Sequence, residues 1–193
     1  QKDRPGNEQI FQALAGFQLV MLAVIMASAF QRMRLYQREY GWTEQRLYPT
    51  AFMAWLAVVF VWFALTALRG QRERFAFGAM VAGFALVAAL HVLNPDALIV
   101  RVNAARLAEG RKFDAYYASS LSADAVPELL AALPNLPPPD RCIAAGRLLR
   151  TWSPPSEPDW RTWSYSRARA THLVTQNSAS LQRMACPENH SSD

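Results

Sequence analysis

Residues 47–68 read LYPTAFMAWLAVVFVWFALTAL, 22 positions without Lys, Arg, Asp or Glu between Arg46 and Arg69. Working outward, residues 10–31 form a second uncharged run of 22 between Glu8 and Arg32, and residues 75–95 a third of 21 between Arg74 and Asp96. A hydrocarbon core about 30 Å thick needs roughly 20 apolar residues at a helical rise of about 1.5 Å. All three runs are long enough. A charge at mid-bilayer costs about 2.5–3.5 kcal/mol on insertion scales, so charge-free runs of this length rarely arise by chance. The competing reading is a large soluble core, but 95 residues leave too little polar chain to wrap three such helices. The expected fold class is all-α, with three transmembrane helices followed by a compact, proline-punctuated helical tail.

The averages hide this. The 193 residues are 52% hydrophobic and 18% charged, with a mean hydropathy of −0.02 and a net charge of +5. Residues 1–95 hold 14 charged residues, nine of them basic, whereas residues 96–193 hold 21, eleven of them basic. Disorder is excluded for the first half, and two cysteines without a repeat or heptad exclude disulfide-dense, collagenous and coiled-coil classes. The domain reading is a transmembrane region over 1–95 (spans about 10–31, 47–68 and 75–94), a helical tail over 96–180 and a flexible C-terminus over 181–193. The first residue is Gln1 rather than Met, which reads as a processed product or a piece of a longer protein. Ala27-Ser28-Ala29 fits a signal-cleavage pattern, yet the run exceeds the usual signal core and Asp3 and Glu8 dilute its positive start. It is read as a true span.

Beyond the first run, nothing breaks a helix until Gly41, which suits the left-handed position after a helix C-terminus. Thr43 can cap the next helix, with Glu44 in its first turn. The first helix is thus expected to leave the membrane, continue for about two turns and reverse in a three-residue turn. Tyr36, Tyr40, Trp42 and Tyr48 sit where aromatic belts form, and Pro49 is expected in the first turn or so of the second helix.

Three spans put the N-terminus and the 69–74 loop on one side, and the 32–46 loop and the tail on the other. Near the membrane the first side carries five Lys/Arg and the second eight, which favours a cytoplasmic tail. Three arginines in the six residues 69–74 are the densest cluster, and the rule works best for short loops. Cys142 and Cys186 can pair in an oxidising compartment. The tail is therefore expected to be extracytoplasmic, in a multi-pass bacterial inner-membrane protein.

In the tail, Asn94-Pro95-Asp96 has the form of a helix start: a cap, a proline at the first position and an acid in the first turn. That helix should run over 96–109 and stop at Gly110. Further helices are expected over 113–119, from Ser122 or Asp124 through Leu133, over 140–151, and from Trp160, capped by Asp159, to about Asn177. Residues 134–139 are expected to be non-helical, residues 153–158 to be a linker, and the last dozen residues to fray. Nothing has the alternation of a strand.

Five motifs carry a resemblance: RLYxxxYGWTExRLY over 34–48, NPDALIxRxN over 94–103, FDxxY over 113–117, LSxDAVP over 121–127 and WSxSRxRA over 163–170. In these the chain resembles a bacterial family of polytopic membrane proteins catalogued as a domain of unknown function, DUF4173, and its close relative DUF4153. The family more often has Leu where Trp42 stands and Asn where Tyr165 stands. The resemblance covers most of residues 30–180. It implies a fold and a membrane location, and it implies that further spans precede Gln1; it carries no activity.

Chemistry is weakly supported. No span holds an internal charge, so a charged ion or proton pathway is unsupported within these helices. Gln12, Gln18, Thr50 and Thr66 read as helix–helix contacts or as simply tolerated. His91, the one titratable side chain in a span, reads as an interfacial hydrogen-bonding residue rather than a switch. The histidines and cysteines share no ligand spacing, and no nucleophile elbow or phosphate loop occurs, so neither a metal nor another cofactor is expected. Asp114 with Asp124 is conceivable as a carboxylate pair, but Asp124 reads better as a helix cap and Asp114 as an early-turn acid. The basic residues flank spans, where anionic headgroups attract them, so nucleic acid is not an expected partner. Arg161, Arg167 and Arg169 with Trp160, Trp163 and Tyr165 form a basic aromatic helix, expected to pack on the tail rather than lie on a membrane.

The residues singled out for structure or interaction are Tyr40, Gly41, Thr43, Arg46, Tyr48, His91, Asn94, Asp96, Arg101, Asn103, Asp114, Ser122 and Asp124. Arg46 or Arg101 is expected to pair with Glu39, Glu44 or Asp96 and clamp the tail to the helical hairpin. The leading expectation is a non-enzymatic integral membrane protein, an interaction or sensory module whose tail docks on the membrane face. Its partners would be the bilayer and other membrane helices. The alternatives are the C-terminal part of a transporter or channel, and, third, a membrane enzyme acting on lipid or envelope substrates.

Overall fold

The computed structural model describes residues 5–66, 72–154, 161 and 163–186, and the chain divides into two units, Gln1–Leu93 and Asn94–Asp193. Among the described residues every regular element is helical. The first unit holds α1 (Pro5–Tyr40), α2 (Glu44–Thr66) and α3 (Arg72–Leu93). All three are long and apolar enough to cross a membrane, and almost none of their most apolar stretches is buried within the protein: 0%, 11% and 0%. At about 1.5 Å per residue α1 extends about 54 Å, well beyond a hydrocarbon core. Its last two and a half turns carry Arg32, Arg34 and Arg38, as the uncharged run ending at Gln31 implies. These three helices mark the chain as a membrane protein.

Within this unit α2 packs on α1 and on α3. Aromatic edges and one glycine make the second contact. Phe63 meets Phe75 edge-on at 5.3 Å, and the Trp62 indole N–H donates to the Arg74 carbonyl at 3.3 Å. A Cβ at Gly78 would collide with that indole ring, so the close approach needs glycine. The remaining apolar surface lies open, including a groove of about 680 Å³ between Ala57, Val58, Trp62 and Phe77, Gly78, Val81.

The second unit contains α4 (Pro95–Ala105), α5 (Ala115–Ala118), α6 (Val126–Ala132), α7 (Pro138–Thr151), α8 (Tyr165–Gln176) and α9 (Ser178–Met184), with 3-10 turns at Arg106–Glu109, Ala123–Ala125 and Leu133–Asn135. Here α4 packs on α6, α7 on α5 and α9, and α8 on the Ala123–Ala125 turn. Their shared core is Ile99, Val100, Leu129, Leu133, Leu148 and Leu181, each at most 2% exposed. Cys142 in α7 and Cys186 after α9 form a disulfide with Cα atoms 4.9 Å apart.

Several boundaries differ from expectation. The helix expected over 140–151 begins at Pro138, because Pro138 and Pro139 occupy first-turn positions whose N–H groups have no helical partner anyway. Pro134 likewise sits inside a 3-10 turn rather than in non-helical chain. The helix expected over 113–119 shortens to α5, since Asp114 caps it from outside. Asp159 and Trp160 lie outside the described residues, but Ser164 is extended (φ −144°, ψ 152°) and accepts from the Arg167 N–H, so it starts α8. Within the stretch expected to fray, Leu181 is fully buried on α9 and Cys186 is bonded to α7. Residues 187–193 lie outside the described set. Pro49 stands at the sixth residue of α2 rather than in its first turn.

Candidate functional site

The α1–α2 connection is a polar lock at the end of an apolar hairpin. Gly41 (φ 80°) closes α1, donating its N–H to the Gln37 carbonyl at 3.1 Å. The Thr43 carbonyl then accepts from the N–H groups of Arg46 and Leu47 at 3.0 and 2.8 Å, opening α2. Arg46 reaches back and donates to the Gly41 carbonyl at 2.8 Å, with its guanidinium 5.7 Å from the Tyr40 ring centre. Tyr40 stacks on Tyr36, one turn earlier. Tyr48 is exposed on the first turns of α2.

Gln37, only 6% exposed, completes the lock. Its amide donates to Thr50 Oγ1 at 2.9 Å and to the Arg46 carbonyl at 3.4 Å, while the Thr50 hydroxyl donates to the same carbonyl at 2.6 Å. Pro49 has no N–H for the helical ladder, which removes the helical donor of the Gln45 carbonyl, while the side-chain bonds gather on the neighbouring Arg46 carbonyl. Sequence reasoning missed Gln37. Its only signal was a neutral amide four residues before the turn glycine, facing no recognisable motif partner.

In the tail unit, two motifs turn out to be partners. Asn94 (φ 48°) caps α4 and accepts from the Ala97 N–H, as expected. Asp96, 8% exposed, accepts from the Ser122 N–H at 3.0 Å. One helical turn and a residue later, Arg101 bridges to Glu128 at 2.6 Å. That bond and the Glu128 charge push the Arg101 pKa further up. Together the two links register α4 against residues 122–128. Arg101 is thus bonded to Glu128 rather than to Asp96. Asn103 is half-buried on α4, and His91 is exposed in the last turn of α3.

Two acids exchange the roles expected of them. Asp114 is the cap of α5, accepting from the Tyr117 N–H at 2.8 Å. Asp124 lies inside the 3-10 turn that Ser122 precedes and caps nothing. The acid whose charge acts with Asp114 is Asp140, in the first turn of α7. Burial, and then the Asp114 charge, raise the Asp140 pKa above its ordinary value. Sequence reasoning also missed two arginines of α7. Arg141 donates to the carbonyls of Pro134 and Leu136 at 3.2 and 2.8 Å, closing the proline-rich turn. Arg147 stacks 4.0 Å from the Tyr116 ring centre. Among the described residues, no group of three His, Cys, Asp or Glu side chains is placed to hold a metal ion.

The stretch from α1 through α6 therefore contains the hairpin lock and both α4 links, and a family model spans the same stretch. Its match is to Domain of unknown function (DUF4153), over residues 1–132. The chain belongs to this family. The sequence resemblance had pointed first to DUF4173 and second to DUF4153; the second is the one matched. The DUF4153 match ends with α6, so the disulfide and α7–α9 lie beyond it. No curated protein and no solved structure matches the chain.

Proposed function

We propose that this chain is a non-enzymatic interaction or sensory module of a bacterial cytoplasmic membrane, with its helical tail outside the cytoplasm and docked on the membrane face. One observation carries the reading. The polar residues singled out in the sequence serve architecture: Asp96 and Asp114 accept backbone N–H groups, Arg101 bridges α4 to α6, and Arg46 closes a turn. The Cys142–Cys186 disulfide supports the side, because structural disulfides persist in oxidising compartments.

Thiol labelling in intact cells tests the side. Cys142 and Cys186 should stay unlabelled by an impermeant maleimide until an impermeant reductant is added outside, and then take two labels. Labelling from the cytoplasmic side without reductant would overturn the reading. The open groove between α2 and α3 favours a second reading, the C-terminal part of a multi-span transporter or channel, in which other helices fill it. Purification with additional spans of the same protein, and cross-linking from Val58 or Val81 into them, would support that reading.

A further inference from the structure

α8 has two unlike faces. Ala170 and Val174, each 1% exposed, point into the tail's core. Tyr165, Arg169 and His172 recur at the spacing that places them on one opposite stripe, and all three are exposed. Trp163, immediately before the capping Ser164, is 71% exposed, as is Tyr165. Arg167 is exposed in the first turn, on the other side of the helix, and residues 163–186 contain Arg183 as well but no Asp or Glu. The helix therefore does pack on the tail, as expected, yet among the described residues its basic aromatic edge is left exposed.

We propose that this edge, from Trp163 to His172, is a docking surface for an anionic phospholipid surface. The chemistry matches in both parts. Trp and Tyr rings settle at headgroup depth with their polar atoms wet, and arginines pair with headgroup phosphates. The chain supplies the proximity: α3, long and apolar enough to span, ends at Leu93, and α4 begins at Pro95 with only Asn94 between. A tail joined without a linker is held at high effective concentration near headgroups, so a small basic aromatic patch suffices. An acidic protein would satisfy the arginines but would not account for two large exposed aromatic rings in a chain that also carries membrane-spanning helices. The proposal rests on the membrane-docking reading above and names the residues that dock.

Hydroxyl-radical footprinting of the full chain in lipid nanodiscs tests it, with oxidation of Trp163 and Tyr165 as the readout. Discs of phosphatidylcholine alone are compared with discs containing phosphatidylglycerol. Oxidation of both residues should fall several-fold in the anionic discs and recover at high salt. The Arg167→Gln/Arg169→Gln variant should shift the docked-to-free ratio by on the order of tenfold and restore oxidation. Both arginines are exposed, so slow amide exchange at Leu129 and Leu148 should show that the variant tail is still folded. Equal oxidation in the two kinds of disc, with the core amides still slow, overturns the docking surface and leaves the tail module standing. Protection already complete in detergent overturns it too, because protein rather than lipid then covers the edge. Fast exchange throughout the tail overturns both readings.

Discussion

Val92 on α3 and Val174 on α8 are the same residue in the same secondary structure, yet one is 86% exposed and the other 1%. The contrast extends to whole units. Phe17, Phe84 and Val87 stand open on the long helices, whereas Ile99, Leu148 and Leu181 are sealed in the tail. In water the first arrangement would be ruinous; in lipid it costs nothing, because the solvent is as apolar as the side chain. The two units must then be held by different forces. The tail has the hydrophobic effect, a core and a covalent staple. The hairpin has close approach at Gly78, aromatic edges and the Gln37–Arg46–Thr50 hydrogen bonds.

The sharpest way to break this comparison is to truncate one apolar side chain in each unit. Leu148→Ala removes a fully buried side chain from a close-packed core and should cost the tail about 2–5 kcal/mol. Phe84→Ala, at a position 69% exposed on α3, should leave thermal stability in lipid almost unchanged. Unfolding of each variant in nanodiscs, followed by amide exchange of each unit, checks both. A large loss from Phe84→Ala would mean that the span is covered by protein, and the contrast would collapse.

Next in size is the staple. Cys142 and Cys186 close a loop with a sequence separation of 44, so the Cys142→Ser/Cys186→Ser variant should lose about 2–4 kcal/mol of tail stability. The hairpin should not respond. Exchange of α9 amides should accelerate most, because α9 is joined to α7 by the disulfide and by Leu181 packing.

The reverse test falls on the hairpin. Gln37→Leu leaves the Thr50 hydroxyl and Arg46 carbonyl one donor short, and should cost about 1–3 kcal/mol in the first unit alone. Gly78→Ala should be of similar size, since the added methyl forces the Trp62 indole off the Arg74 carbonyl. A shift in Trp fluorescence with lost thermal stability, and an unaltered tail, is the expected pair of readouts.

Much of this was legible in the sequence where a rule is local. Uncharged runs announced α1–α3, Gly41 its turn, and Asn94-Pro95-Asp96 the start of α4, since each depends on composition or on backbone conformation within a few residues. What was not legible depends on pairing at a distance. Asp96 with Ser122 and Arg101 with Glu128 lie 26 and 27 residues apart, and no spacing rule joins them. The prolines misled in a systematic way: Pro138 and Pro139 were read as breakers, although the first turn of a helix is where proline fits. Gln37 was invisible because a lone amide on a helix carries no pattern until the partner helix folds against it.

The smallest expected effect separates the units by charge. The hairpin lock is built on Gln37 and Thr50, which do not titrate, whereas the tail places Asp140 where burial and Asp114 raise its pKa. A folded value above the ordinary 3.8 means that folding takes up protons between the two values. The contribution of Asp140 to tail stability should therefore fall as pH rises through that window, with the full penalty present above it and none below it. Asp140→Asn removes the titration, so variant minus wild-type stability should climb over the same window by no more than about 1 kcal/mol. Asn at this first-turn position forgoes the favourable helix dipole, but that term is already contained in the folded pKa and leaves the sign of the slope intact. Asp114→Asn, which keeps a capping side chain, should flatten the wild-type slope only in part, because burial is the larger cause and Asp114 the smaller. A variant-minus-wild-type slope of opposite sign in pH-resolved thermal unfolding would show that Asp140 is stabilised as a carboxylate.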